Sequence, residues 1–160
     1  MLYVIAKLDN TARARLSWIQ SFAASFGIVP KPIYGHIVLA AISGSNASTI
    51  SACKDALKAE KPFTVDFEKV EVLPDKGEVV ALAAAGGALL TLREKLSAVA
   101  PVSEQWVPCT TLLHDNMANL NWIRMAMSEM FQPFTATVDR IEFVKRSNLV
   151  DCLELKGEDT

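Results

Sequence analysis

Leu2 to Leu8 reads as a strand, and the polar pair Asp9 and Asn10 then offers a cap for a helix. That helix has an apolar face of Leu16, Ile19, Ala23 and Phe26 and is closed by Gly27. Residues 28–33 contain Pro30 and Pro32, which predicts an extended linker into a strand beginning near Tyr34. A second helix is expected over about 47–59, with Ile50, Cys53 and Leu57 on one side. Phe63, Val65 and Phe67 alternate until the apolar phase moves to Val70 and Val72, which predicts a bulge or bend. Pro74-Asp75-Lys76-Gly77 is a turn, and Glu78 to Ala84 returns as the second arm of a hairpin. Ala85-Gly86-Gly87 leads into a third helix with Leu89, Leu92, Leu96 and Val99 on its buried face. A strand from about Trp106 to Leu113 follows. A fourth helix then carries Leu120, Ile123, Met127 and Met130, and its methionines, Met117 included, read as core. A last hairpin runs over 134–144 and 149–155.

The pattern is stated twice. Tyr34-Gly35-His36-Ile37-Val38-Leu39-Ala40-Ala41 and Trp106-Val107-Pro108-Cys109-Thr110-Thr111-Leu112-Leu113 are each followed by a polar start, a helix and a Pro-Phe-Thr strand opening. The polar starts are Ser45-Asn46 and Asp115-Asn116; the strand openings, at Pro62 and Pro133, lie 71 positions apart, whereas His36 and Cys109 lie 73 apart. Two copies are too few for a solenoid. The expected architecture is therefore one two-lobed α+β domain over residues 1–160, with its second half starting near residue 78. Mostly antiparallel sheets would line a central cleft, with helices on the outer faces.

With 51% apolar residues the chain can bury a real core. A net charge of −2 argues against strong sequence-independent binding of long nucleic acid, which needs clustered cations. No run of residues is long enough for a membrane span. Cys53, Cys109 and Cys152 are odd in number without metal-type spacing, and Met1–Lys7 is too short an apolar run for a signal peptide. The expectation is free thiols in a reducing cytoplasm.

Candidate chemistry falls on the repeated strands, where His36 shares a face with Val38, and Cys109 with Thr111. A strand reading His-x-Thr-x, met once per half of a duplicated α+β chain, resembles the two-histidine phosphoesterase superfamily. The chain is most similar to that superfamily's branch of bacterial 2′-5′ RNA ligases and cyclic phosphodiesterases. Gly35-His36-Ile37-Val38-Leu39-Ala40 is similar to the branch's Pro-His-Ile-Thr-Leu-Ala, and Trp106-Val107-Pro108-Cys109-Thr110-Thr111-Leu112 to its Trp-Ile-Pro-His-Cys-Thr-Ile. The resemblance implies a hydrolase or ligase cleft for a small nucleotide or RNA end carrying a 2′,3′-cyclic phosphate or a 2′-5′ linkage, with no metal or other cofactor. One imidazole would take a proton, the other would give one to the leaving oxygen, and two hydroxyls would steady the phosphate.

On that alignment His36 is the retained imidazole and Thr111 the retained hydroxyl, while Cys109 stands for the second histidine and Val38 for the first threonine. Tyr34 and Trp106, just before the motif strands, are candidates to stack on a base, or to pack at the rim. Losing one positioned acid or base costs about 10²–10⁴ in rate. The alternative is a non-catalytic nucleotide- or protein-binding module using the same cleft. Three rescues can be considered. His114, on the opposite strand face from Cys109 if alternation holds, could replace the acid, or be a surface histidine at a helix start. Cys109 could be a nucleophile activated by His36, or an inert buried thiol. His36, Cys109 and His114 could together hold zinc, but Cys-x₄-His matches no standard site and that reading is set aside. Ala85-Gly86-Gly87 lacks either phosphate-loop pattern, and Lys145-Arg146 reads as a solvated turn.

Overall fold

The computed structural model describes residues 1–25, 35–44, 46–84, 87–102, 105–114, 117–146 and 148–156, excepting the side chains of residues 23, 24 and 117–119. Phe26, Gly27, Pro30, Pro32, Tyr34, Ser45, Ala85, Gly86, Asp115 and Asn116 thus lie outside the described residues, as do the side chains of Ala23 and Met117. The chain runs β1 (Leu2–Leu8), α1 (Asn10–Ser25), β2 (His36–Ile42), α2 (Ala47–Leu57), β3 (Phe63–Leu73) and β4 (Glu78–Ala83). It continues as α3 (Gly87–Val99), β5 (Cys109–His114), α4 (Met117–Met130), β6 (Phe134–Lys145) and β7 (Asn148–Glu154). The class is α+β. The expected sheets are one continuous antiparallel sheet, ordered β2-β1-β6-β3-β4-β5, with β7 also paired to β6.

β3 and β6 form the middle of this sheet. Phe63 pairs with Val138, Val65 with Ala136 and Phe67 with Phe134, so Val65 faces the residue 71 positions further on. Beyond this crossing each strand takes its own partners, Lys69–Leu73 pairing with β4 and Val138–Lys145 with β1. The expected bulge in β3 is there, as a register shift between Phe67 and Lys69.

β4, near which the second half is expected to start, is paired with β3. α1 packs against β5 and α4, whereas α3 packs against β2 and α2. The helix before β2 thus packs on β5, and the helix before β5 packs on β2.

The helices cover one face of the sheet. Leu16 and Ile19 of α1, Cys53 and Leu57 of α2, Leu92 and Leu96 of α3, and Ile123 and Met127 of α4 are buried there. They meet Val4, Ala6, Ile37, Leu39, Phe67, Val79, Ala81, Ile141 and Phe143 from the strands. Burying one such side chain contributes about 1.5–3 kcal/mol, so this layer dominates the stability of the fold. Asn46 starts α2 with a capping box, its side chain accepting from the Thr49 backbone. Val99 is an exception to the expected face of α3: it is 43% exposed, and Arg93 takes the fourth buried position instead.

Candidate functional site

β2 and β5 are the two ends of the strand order, yet they approach each other because the sheet curls round. Between them lies a cavity of about 650 Å³, lined among others by His36, Val38, Trp106, Cys109 and Thr111. The expected site residues are thus brought together, apart from Tyr34, which is outside the described residues. Trp106 reaches across the gap: its indole N–H donates to the Val38 carbonyl at 2.9 Å, and the Arg93 guanidinium lies 5.6 Å from its ring centre. With its N–H committed and one neighbour a cation, Trp106 acts as a clamp between the two ends of the sheet.

Antiparallel partners share a face, so the ladder shows what lies beside each candidate. On one side the rows are His36–Lys7–Arg140, Val38–Ile5–Glu142 and Ala41–Tyr3–Val144. On the other they are Cys109–Leu82–Lys69, Thr111–Val80–Glu71 and His114–Glu78–Leu73. Ile5 and Val80 are both buried but outside the main apolar core, and they form the centre of the two arrays.

A correction concerns His114. Simple alternation puts it on the face opposite Cys109, but β5 carries an extra residue. Val80 pairs with Thr111 and Val79 with Leu113, leaving Leu112 as a bulge. The bulge resets the alternation, so His114 joins Cys109 and Thr111 in lining the cavity. β2 has a matching irregularity, since Ile5 pairs with Val38 and Val4 with Ala40, and there Leu39 is the extra residue. The signal in the sequence was the pair Leu112-Leu113, two adjacent apolar residues in an otherwise alternating strand, both buried.

Glu78 is the residue that the sequence reading missed. Its carboxylate accepts from the Thr111 hydroxyl at 3.3 Å and lies 3.7 Å from His114 Nε2. Glu78 is 15% exposed and His114 45%, so the acid is sheltered and the imidazole reaches solvent. Lys76, from the turn before β4, lines the same cavity. So do Gln20 and Arg93, both largely buried, and Arg93 donates to the Leu39 carbonyl at 2.6 Å. These two stand at the third place of matching stripes, Leu16-Ile19-Gln20 and Leu89-Leu92-Arg93, where an apolar residue is expected. A polar residue in that place marks where the helical layer meets the cavity.

Burial lowers the pKa of His36, with Glu142 opposing, so its imidazole is neutral near pH 7. Cys109 is driven up to about 11, first by burial and then by Glu78, with Lys76 opposing. A thiol held there is neither a ready nucleophile nor a practical acid at neutral pH. Among the described residues no three His, Cys, Asp or Glu side chains converge as a metal-ligand set. No helix among them is long and apolar enough to cross a membrane.

The family model of the 2′-5′ RNA ligase superfamily matches residues 32–149, which include both motif strands. The chain belongs to that superfamily. Solved structures of the 2′-5′ RNA ligase fold extend the likeness to the whole chain. LigT of Escherichia coli, complexed with 3′-AMP, is 15% identical with a TM-score of 0.66, covering 96% of this chain and 97% of that one. TT0787 of Thermus thermophilus is 18% identical with a TM-score of 0.68, covering 99% of both chains. Usb1 of Kluyveromyces marxianus is 12% identical with a TM-score of 0.58, covering 96% of this chain and 97% of its own. E. coli LigT also has structures with ATP and with NADP+. No curated protein sequence matches the chain.

Proposed function

We propose that the cleft between β2 and β5 takes a small nucleotide with a 2′,3′-cyclic phosphate or 2′-5′ linkage, and that its acid–base chemistry is altered from the superfamily's two-histidine pattern. The observation that carries this reading is the convergence of His36, Cys109 and Thr111 on one cavity of about 650 Å³, the size of a nucleotide site. His36 is the base. A neutral, sheltered imidazole accepts a proton from water or a ribose hydroxyl without first having to lose one. Thr111 is the phosphate donor, provided that its hydroxyl turns from Glu78 to the ligand. Val38 supplies no hydroxyl on the other side, a loss of about 1.5–3 kcal/mol if that hydrogen bond is to a charged oxygen. We also read the two matching arrays of rows as an internal duplication, supported by the pairing of Val65 with Ala136 at the centre of the sheet.

A second reading is a non-catalytic nucleotide-binding module. What favours it is Cys109, which stands where the pattern places its second imidazole and keeps its proton up to about pH 11.

The test is hydrolysis of a panel of 2′,3′-cyclic nucleotides by the natural protein, by His36→Ala and by Val38→Thr/Cys109→His together. Turnover by the natural protein that disappears in His36→Ala supports the enzyme. Turnover by the double variant alone supports the binding module. Silence from both contradicts the ligand class.

A further inference from the structure

The chain has two histidines, and both line this one cavity, His36 from β2 and His114 from the far end of β5. We propose that His114, held by Glu78, is the second proton-transfer group of the cleft, a site displaced by five residues from the position that Cys109 occupies. This rests on the nucleotide reading above and names the group that completes it.

Three observations converge. The bulge at Leu112 turns His114 onto the face of Cys109 and Thr111. The cross-strand partner there is Glu78, whose carboxylate lies 3.7 Å from Nε2, at ion-pair distance. The opposite array has Ala41 and Tyr3 in the corresponding row, so an imidazole stands there on one side and a phenol on the other. The cleft is thereby divided into a buried neutral base, His36, and a solvent-reaching imidazole beside a carboxylate. The Cys109 thiol, pushed up to about 11, leaves that second role open. The charged and titratable groups lining the cavity with His114 are Glu78 on β4, Lys76 from the turn before it, Cys109 on its own strand, Arg93 on α3, and His36 and Tyr3 from β2 and β1. Of these, Glu78 is the one at ion-pair distance.

The step balances without any added reagent. A water oxygen bonds to the phosphorus of a 2′,3′-cyclic phosphate while His36 takes its proton. The bond from phosphorus to one ribose oxygen breaks, and that oxygen takes the proton from the His114 imidazolium. The product is a phosphomonoester, and the two imidazoles return to their starting states by exchange with solvent.

The test is two-dimensional NMR of the two imidazoles in the full chain, assigned with His36→Ala and His114→Gln, during titration with adenosine 2′,3′-cyclic phosphate and with 3′-AMP. The proposal expects both imidazoles to respond, and the His114 response to shrink at least severalfold in Glu78→Gln. A response from His36 alone overturns it and leaves the nucleotide reading standing. No response from either overturns both. Where the natural protein turns over, His114→Gln is expected to lower kcat by about 10²–10³-fold, within the range for a lost acid or base. In a Cys109→His background that loss is expected to be much smaller, because the two imidazoles then serve one role. An equal loss in both backgrounds, as a merely structural His114 would give, contradicts the proposal.

Discussion

The indole N–H of Trp106 and the carbonyl of Val38 are hydrogen-bonded at 2.9 Å, although Val38 lies on β2 and Trp106 just before β5, strands five places apart in the sheet order. That bond closes the sheet on itself at the cavity. Trp106→Phe keeps the ring and removes the donor, and is expected to cost about 1–2 kcal/mol, the range for leaving a sheltered acceptor unpaired. Chemical denaturation reads the loss directly. An unchanged midpoint would mean that the clamp contributes nothing.

Gly35 precedes His36 with φ +62°, and a side-chain carbon there would collide with Arg13 of α1. Gly35→Ala combines left-handed strain with a clash and is expected to destabilise by about 1–3 kcal/mol. Thermal unfolding should show it, and because β2 starts at the next residue, nucleotide affinity should fall in parallel.

Burial holds the His36 pKa below its ordinary 6.5. The unfolded chain therefore binds a proton first as pH falls. The stability from a neutral His36 is complete above about pH 6.5 and declines as pH drops toward the lowered value. His36→Gln should flatten this part of the stability profile. If the enzyme reading holds, the acid limb of kcat/KM should also fall below pH 6.5. An acid limb at or above that value would mean that His36 is not the base.

Cys109 makes an opposite prediction. With its pKa raised to about 11, alkylation at pH 8 should be slow and should rise steeply above pH 9. Glu78→Gln removes one cause of the shift and should make Cys109 react faster at pH 9. Site-resolved peptide mass spectrometry separates it from Cys53 and Cys152. Fast labelling of Cys109 at neutral pH would revive the nucleophile reading.

Most of the fold was legible because its elements obey simple periods. Leu2–Leu8, Phe63–Leu73, Cys53 and Leu57 of α2 and Leu120, Ile123 and Met127 of α4 follow from spacing alone, whereas Met130, expected in the core, is only half-buried; the repeated motif strands β2 and β5 line one cavity. Three things were not legible. The sheet's continuity depends on β3 pairing with β6, a contact between distant segments that no local pattern encodes. The exchange of α1 and α3 between the two ends is a matter of tertiary packing. The cavity's second half was misread because one bulged residue, Leu112, inverts every side chain after it. Glu78 looked like the start of a hairpin arm, and only its pairing with His114 gives it a chemical neighbour.

The most direct measurement of the central claim is calorimetric titration of the natural protein and of His36→Ala with adenosine 2′,3′-cyclic phosphate and 3′-AMP. The account predicts that the natural protein binds at least one of them and that His36→Ala weakens this by about tenfold or more, a change of roughly 1.4 kcal/mol. Equal binding by both proteins, or binding by neither, would contradict it.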